Sequence, residues 1–194
     1  FQYPAVTTSG SWRTGNNLNT ARSQMGSAGK TGTAALAIGG KPNQAETELY
    51  NGSSWTEVNN PNLARSFAGA SGTQTSTLYF GGSAPTTAAT ESWNGTNWTT
   101  VNSLNTARNS LGGAGADNTS ALAFGGSTNA TESWNGTNWT EVNDLNTSRT
   151  GLGSNGIKDA ALGFGGEAPP GRQTATEQWN GTNWTEVNNL NTAV

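Results

Sequence analysis

The 194-residue sequence predicts an all-β fold built from a repeated unit of four short strands. Three observations predict it: a recurring tryptophan and glycine pair, Asn-Gly dipeptides between short apolar segments, and no stretch with helical spacing of apolar residues. The recurring tryptophans, 41 to 45 residues apart, are Trp12, Trp55, Trp98, Trp139 and Trp184. The glycine pairs are Gly39-Gly40, Gly81-Gly82, Gly125-Gly126 and Gly165-Gly166. Both series keep one period, so nearly the whole chain consists of this unit.

The four strands of a unit follow in a fixed order. The first begins near an arginine and crosses a Gly-rich stretch, as from Arg108 to Gly115. The second is apolar and ends in the glycine pair, as in residues 121–124. The third reads Thr-Glu-Ser-Trp and the fourth Trp-Thr-Thr-Val. Gly and Asn between these short apolar runs are typical of the turns of an all-β protein.

The hairpin between the third and fourth strands predicts which side chains share a face. Asn94-Gly95 is a strong signal for a tight turn, which places Trp93 opposite Thr96 and Glu91 opposite Trp98. The aromatic residues then lie on one face of the sheet and Val101 on the other. A sheet with apolar residues on both faces needs a neighbour on each side, which a ring of such sheets provides.

The ring predicted from these units is a small β-propeller with four to five blades, forming one domain over residues 1–194. The complete blades span about 21–60, 64–104, 107–145 and 148–190. Residues 1–18 supply the outer strands of a partial N-terminal blade. These leftover strands either help to close the ring or pair with a neighbouring subunit, because an unpaired strand edge invites addition.

The composition excludes several functional classes. The chain has no Cys and no His, which excludes disulfides, thiol nucleophiles, imidazole-ligated zinc and a Ser-His-Asp triad. A net charge of −3 argues against nucleic-acid binding, and no apolar run reaches the ~20 residues of a membrane span. We therefore expect no catalytic residues, no metal site, no cofactor and no membrane insertion.

The repeat resembles the kelch repeat, in which an apolar strand ends in Gly-Gly and is followed by an aromatic residue and a tryptophan. The matching segments are Leu36 to Gly40 with Tyr50 and Trp55, Leu78 to Gly82 with Trp93 and Trp98, Leu122 to Gly126 with Trp134 and Trp139, and Leu162 to Gly166 with Trp179 and Trp184. Residues 133–149, SWNGTNWTEVNDLNTSR, also resemble kelch-like repeats of predicted bacteriophage structural proteins. The resemblance implies a compact kelch-type blade and a structural role on a virion.

A glutamate and an arginine recur once per unit. The glutamates are Glu48, Glu91, Glu132 and Glu177, and the arginines are Arg22, Arg65, Arg108 and Arg149. A ring of carboxylates could serve as general acids or as a cation site. Repeated residues have nearly identical environments, however, whereas an acid-base pair needs two different ones. We expect one Glu–Arg pair per blade that braces neighbouring blades.

The tryptophans allow two interpretations. Their rings could stack on sugars, or they could form the core between blades. Because each blade carries them at the same register, we expect core positions for Trp12, Trp55, Trp93, Trp98, Trp134, Trp139, Trp179 and Trp184.

The loops after the glycine pairs differ between units, and binding residues concentrate on such loops. We expect any specific ligand to contact Lys41, Gln44, Glu167 and Arg172. The hairpin asparagines also form Asn-x-Ser/Thr sequons, which are glycosylation acceptors if the chain is extracellular in a glycosylating host. They are Asn51, Asn94, Asn135 and Asn180.

Two functions remain open at this point. The first is a non-enzymatic structural or adhesive propeller, extracellular or on a virion surface (capsid, tail or fibre). Its partners would be other structural subunits in a homo-oligomer or larger assembly, and also cell-surface glycans. The alternative is a lectin-like propeller that binds carbohydrate in surface recognition, where repeated weak sites give avidity.

Overall fold

The computed structural model describes residues 15–42, 44–83 and 85–194. In this part of the chain all regular structure is β, in four four-stranded antiparallel sheets with a propeller-like arrangement and one two-stranded sheet. The predicted all-β propeller class is therefore confirmed. The predicted partial blade, except its last residues, and Trp12 lie outside the described residues. Among the described residues, no helix is long and apolar enough to cross a membrane.

Each sheet is one blade, and its strands follow in chain order from the inner to the outer edge. Blade 1 contains β1 (Gly26–Thr31), β2 (Ala34–Gly40), β3 (Gln44–Tyr50) and β4 (Trp55–Val58). Blade 2 contains β5 (Gly69–Thr73), β6 (Ser76–Phe80), β7 (Thr90–Trp93) and β8 (Trp98–Val101). Blade 3 contains β9 (Leu111–Asp117), β10 (Ser120–Gly125), β11 (Thr131–Trp134) and β12 (Trp139–Val142).

Blade 4 departs from the others by an added hairpin. It contains β13 (Gly153–Ile157), β14 (Ala160–Phe164), β17 (Thr176–Trp179) and β18 (Trp184–Val187). Between β14 and β17 the chain forms a two-stranded sheet of β15 (Glu167–Ala168) and β16 (Gly171–Arg172). The longest of the loops that follow a glycine pair thus contains a β-hairpin of its own.

The register of the outer hairpins corrects the sequence prediction. Trp93 pairs with Trp98 and Glu91 with Thr100, two residues away from the predicted pairing. The connection is a four-residue loop rather than a two-residue turn, and Asn94 closes it by accepting hydrogen bonds at Oδ1 from the backbone N–H groups of residues 96 and 97. Side chains alternate with a period of two, so the two-residue shift leaves the predicted faces unchanged.

The core lies between consecutive blades. We call the face of a blade that contacts the next blade its front face, and the opposite one its rear face. Leu78 and Phe80 on the front of blade 2 pack against Trp134 and Trp139 on the rear of blade 3. The boundaries between blades 1 and 2 and between blades 3 and 4 repeat this arrangement. Each blade thus supplies branched and aromatic side chains to one neighbour and tryptophans to the other.

The glycine pairs permit a close approach between blades. Gly82 donates its N–H to the carbonyl oxygen of Arg108, in the linker that enters the next blade, at 2.9 Å. At Gly81 φ is +65°, and a Cβ there would lie 2.6 Å from the same oxygen. Any larger residue would therefore be strained by both conformation and contact.

In the part of the chain that the structure describes, the ring of blades is open on one side. The inner strands β1, β5, β9 and β13 run beside one another in that order and surround a cavity of about 650 Å³. Within the described residues, β13 and β1 make no comparable contact. The front face of blade 4 and the rear face of blade 1 are thus the two faces that this part of the chain does not pair.

Candidate functional site

The boundaries between blades are the candidate functional site, because most of the residues singled out from the sequence meet there. At the centre of blade 3 is a buried ion pair between Arg108 Nη2 and Glu132 Oε1, 2.9 Å apart. The same guanidinium donates to the carbonyl oxygens of Gly125 and Ala130 at 3.0 and 2.6 Å. Arg108 therefore ties the second strand, the following loop and the third strand of its blade together.

The linker that enters the blade completes this cluster. Glu132 Oε2 accepts hydrogen bonds from the backbone N–H and the side-chain Nδ2 of Asn105, at 2.7 and 2.8 Å. The Arg108 carbonyl in turn accepts the N–H of Gly82 in the preceding blade. One arginine thus contacts two blades, and its charge is matched by a carboxylate whose lone pairs are occupied.

The cluster recurs in all four blades. The Arg–Glu nitrogen–oxygen distances are 2.9 Å for Arg22–Glu48, 3.4 Å for Arg65–Glu91, 2.9 Å for Arg108–Glu132 and 2.8 Å for Arg149–Glu177. Linker asparagines at positions 19, 62, 105 and 146 contact the corresponding glutamates. The structure therefore brings together the repeated glutamates and arginines, each pair within its own blade.

Blade 2 modifies the cluster with a tyrosine. Tyr79 donates its hydroxyl hydrogen to the carbonyl oxygen of Arg65 at 3.0 Å, and its ring lies 4.3 Å from the guanidinium carbon. Burial lowers the pKa of Arg65, against the opposing effects of Tyr79 and Glu91. Burial also raises the pKa of Tyr79 to about 12. The contacts between Tyr79 and Arg65 thus offset part of the cost of burying each side chain.

Burial acts in the same direction on the arginine of blade 3. It lowers the pKa of Arg108, while the Coulombic attraction and hydrogen bond of Glu132 act to raise it. A carboxylate of this kind accepts hydrogen bonds from fixed donors and faces a fixed cation. This arrangement can hold the incoming linker, two strands of the blade and the previous blade in one fixed geometry.

The tryptophans are arranged in pairs that join neighbouring blades. The rings of Trp134 and Trp139 lie 5.4 Å apart between their centroids. Trp134 donates its indole N–H to a carbonyl of its own blade, whereas Trp139 donates to Thr90 Oγ1 of blade 2 at 3.1 Å. Trp184 donates in the same way to Thr131 of blade 3 at 3.0 Å. The second indole of a pair is therefore a polar contact across the boundary.

Burial separates the tryptophans of blade 1 from the rest. Six are buried between blades and expose no ring face that a sugar could stack on: Trp93, Trp98, Trp134, Trp139, Trp179 and Trp184. Trp55, on the rear face of blade 1, is half-buried, as is Tyr50 beside it. Trp12 lies outside the described residues.

The rim-loop residues predicted to bind ligand lie on two different blades. Lys41 and Gln44 flank the loop of blade 1, and the Lys41 ammonium sits 4.7 Å from the ring centre of Phe67, at the start of blade 2. Glu167 and Arg172 face each other across the added hairpin of blade 4, and both are exposed. The structure therefore brings these residues together in pairs rather than as one group of four.

The hairpin asparagines are exposed at the outer edges of the blades. In each, Oδ1 accepts two backbone N–H groups of the following loop at 2.8 to 3.0 Å. They are Asn51, Asn94, Asn135 and Asn180. The side-chain amide nitrogen, where a glycan would be attached, is not the atom that holds the loop.

The sequence does not reveal that the front face of blade 4 is partly exposed. Leu162 occupies the position of Leu36, Leu78 and Leu122, which are fully buried, yet it is 39% exposed. Phe164, which corresponds to the buried Phe80 and Phe124, is half-buried. Because Leu162 lies in the same motif as its equivalents, its sequence context carries no signal of this difference.

In the comparisons with known proteins, no family model matches the chain, and no curated protein proves similar to it.

Proposed function

We propose that this chain is a non-enzymatic structural propeller that assembles with other protein subunits through the two blade faces that its described residues leave unpaired. One observation carries the proposal: the front face of blade 4 exposes Leu162, whose equivalents in blades 1 to 3 are fully buried. In the preceding blade, the equivalent Leu122 is covered by the tryptophan pair of the blade that follows it. Covering the remainder of the Leu162 side chain, which is 39% exposed, removes further apolar area from water at about 25 cal/mol per Å² and so favours a partner there.

The charged residues support a structural role. The repeated Arg–Glu pairs are buried and occupied by linker and strand contacts, which is what a brace requires. The six buried tryptophans serve the boundaries, which weakens the lectin-like alternative that depends on exposed ring faces. The finer assignments, a kelch-type blade and a place on a phage particle or other extracellular surface, have the sequence resemblance as their support.

Particle size in solution tests this function. We expect light scattering and electron microscopy to find particles heavier than the 19.9-kDa monomer, and Leu162→Asp to shift them toward the monomer. Thr140→Asp adds the same charge on an exposed outer strand and serves as the matched control, with no change expected. A monomer at every concentration, with no binding of structural subunits, would contradict the proposal. A glycan array tests the carbohydrate alternative separately.

A further inference from the structure

We propose that the opening between blade 4 and blade 1 is a docking slot for one further unit of this repeat, carried by another protein chain. The occupant is a four-stranded antiparallel sheet with a tryptophan pair on its rear face and Leu and Phe on its front face. The proposal rests on the assembly function above and specifies its partner.

Both open faces belong to one opening. The first and last inner strands line the same central cavity, through residues 26–30 of β1 and 154–157 of β13. A partner that fills the opening must therefore satisfy two different faces at once, the front of blade 4 and the rear of blade 1. A unit of this repeat has these two complementary faces, because blades 2 and 3 fill the same role between their neighbours.

The front face of blade 4 presents the apolar half of an internal boundary. In blade 3, Leu122 and Phe124 pack against the tryptophan pair of blade 4, and the rings of Phe124 and Trp184 are 4.7 Å apart. Leu162 and Phe164 occupy the equivalent positions on blade 4, without a following blade in the described residues. The missing complement is thus a pair of indole rings.

Thr176 supplies the polar half of the same boundary. Two of its three equivalents, Thr90 and Thr131, each accept an indole N–H from the following blade. At the boundary between blades 1 and 2, Trp98 donates to the carbonyl oxygen of Asn59 instead, and the hydroxyl of Thr47 has no partner in the described residues. In Thr176 the hydroxyl oxygen is buried and has no hydrogen-bond partner in the part of the chain described. Leaving a buried hydroxyl unpaired is unfavourable, and a tryptophan from a docked unit would pair it.

A third contact repeats at the outer edge. The side-chain amide of Asn143, after the last strand of blade 3, donates to Thr182 O and Asn183 Oδ1 in the outer loop of blade 4, at 3.0 and 2.8 Å. Asn102 makes the same contact with blade 3. Asn188 holds this position after blade 4 and is exposed. A docked unit would bring an Asn-Gly-Thr-Asn loop to it.

The rear face of blade 1 completes the slot. Tyr50 and Trp55 form its aromatic pair, with ring centroids 5.0 Å apart, and both are half-buried where the equivalent tryptophans are buried. The front face of a docked unit would cover them with Leu and Phe, as Leu78 and Phe80 cover the pair of blade 3.

A peptide added to the full chain tests the slot. The probe is a labelled synthetic peptide of residues 105–143, one complete unit with its linker asparagine, titrated by fluorescence anisotropy and weighed in complex by native mass spectrometry. We expect a one-to-one complex. Leu162→Asp should abolish binding, and Thr176→Val should weaken it roughly three- to tenfold, the effect of one buried hydrogen bond. With a peptide carrying Trp139→Phe, the Thr176→Val effect should disappear.

Matched controls distinguish a loss of peptide binding at the slot from a loss of folding. Thr131→Val removes a hydroxyl that Trp184 already uses, so it should lower the stability of the chain and leave peptide affinity unchanged. Circular dichroism verifies that Leu162→Asp still folds. Absence of binding, or equal binding by the chain with and without Leu162→Asp, would overturn the proposal. A dimer of two full chains that Leu162→Asp dissolves and the peptide does not displace would overturn it in favour of a second copy.

The outcome also separates this inference from the assembly function. If larger particles form and survive Leu162→Asp while the peptide fails to bind, the slot is wrong and assembly uses another surface. If the peptide binds as expected and no particle or subunit contact is found in solution, the slot stands and the assembly function fails.

Discussion

Equivalent residues of the repeat lie at the boundary between blades 3 and 4 and at the opening between blades 4 and 1. Their surroundings differ. At the closed boundary Leu122 is fully buried and Thr131 accepts an indole N–H. At the open one Leu162 is 39% exposed and the Thr176 hydroxyl is unpaired within the described residues. The difference shows that the repeat encodes each half of a contact, and that the contribution of a half depends on its neighbour.

The largest expected effect comes from breaking the buried ion pair inside blade 4, whose arginine also accepts the N–H of Gly126 from blade 3 at its carbonyl oxygen. Arg149→Ala leaves the carboxylate of Glu177 buried without its cation, which should lower the free energy of unfolding by about 3–5 kcal/mol. Urea denaturation measures the loss. Arg172→Ala removes an exposed arginine from the same blade and should change stability by less than about 0.5 kcal/mol. Equal effects of the two substitutions would mean that the buried pair is not a brace.

Truncating equivalent leucines sharpens the comparison directly. Leu122→Ala creates a cavity at the closed boundary and should cost about 2–5 kcal/mol. Leu162→Ala at the open face should cost less than this in the isolated chain, because Leu162 is 39% exposed and less buried apolar surface is lost on truncation. The ratio of the two unfolding free energies is the measurement. A ratio near one would show that the open face is covered in solution.

High pH should weaken the boundary between blades 1 and 2 through Tyr79. Burial raises its folded pKa to about 12, above the unfolded value of about 10. Below pH 10 the phenol is neutral in both states and its contribution is fully present. As pH rises from 10 to 12 the unfolded chain ionises first, so about 2–3 kcal/mol of stability is lost. Tyr79→Phe should remove this slope, and an unchanged slope in that variant would contradict the assignment.

The smallest expected difference concerns the two threonines. Thr131→Val loses the hydrogen bond from Trp184 and should lower stability by about 1 kcal/mol. Thr176→Val removes a hydroxyl with no partner in the described residues and should be neutral or slightly stabilising. Thermal unfolding of both variants decides this. Thr176→Val as the more destabilising change would show that its hydroxyl is already paired in solution.

The sequence permits a correct prediction of the strand order and of the all-β propeller class, because the motif repeats every boundary contact. The predicted hairpin register is wrong, because Asn94 belongs to a four-residue loop that its side chain organises and not to a two-residue turn. Because the register differs from the prediction by two residues, each side chain still lies on the predicted face of the sheet. The exposure of Leu162 could not be predicted, because burial depends on the neighbouring blade and not on the local sequence.

The order of the blades has a consequence for how the molecule opens. In the described part of the chain, blades contact the blades next to them, as in a linear array. The stability of a blade is therefore the sum of its intrinsic stability and the energies of its interfaces with its neighbours. Blades 2 and 3 have two such neighbours in the described chain, whereas blades 1 and 4 have one each. Amide hydrogens of the end blades should therefore exchange with solvent first, and those of β9 and β10 last.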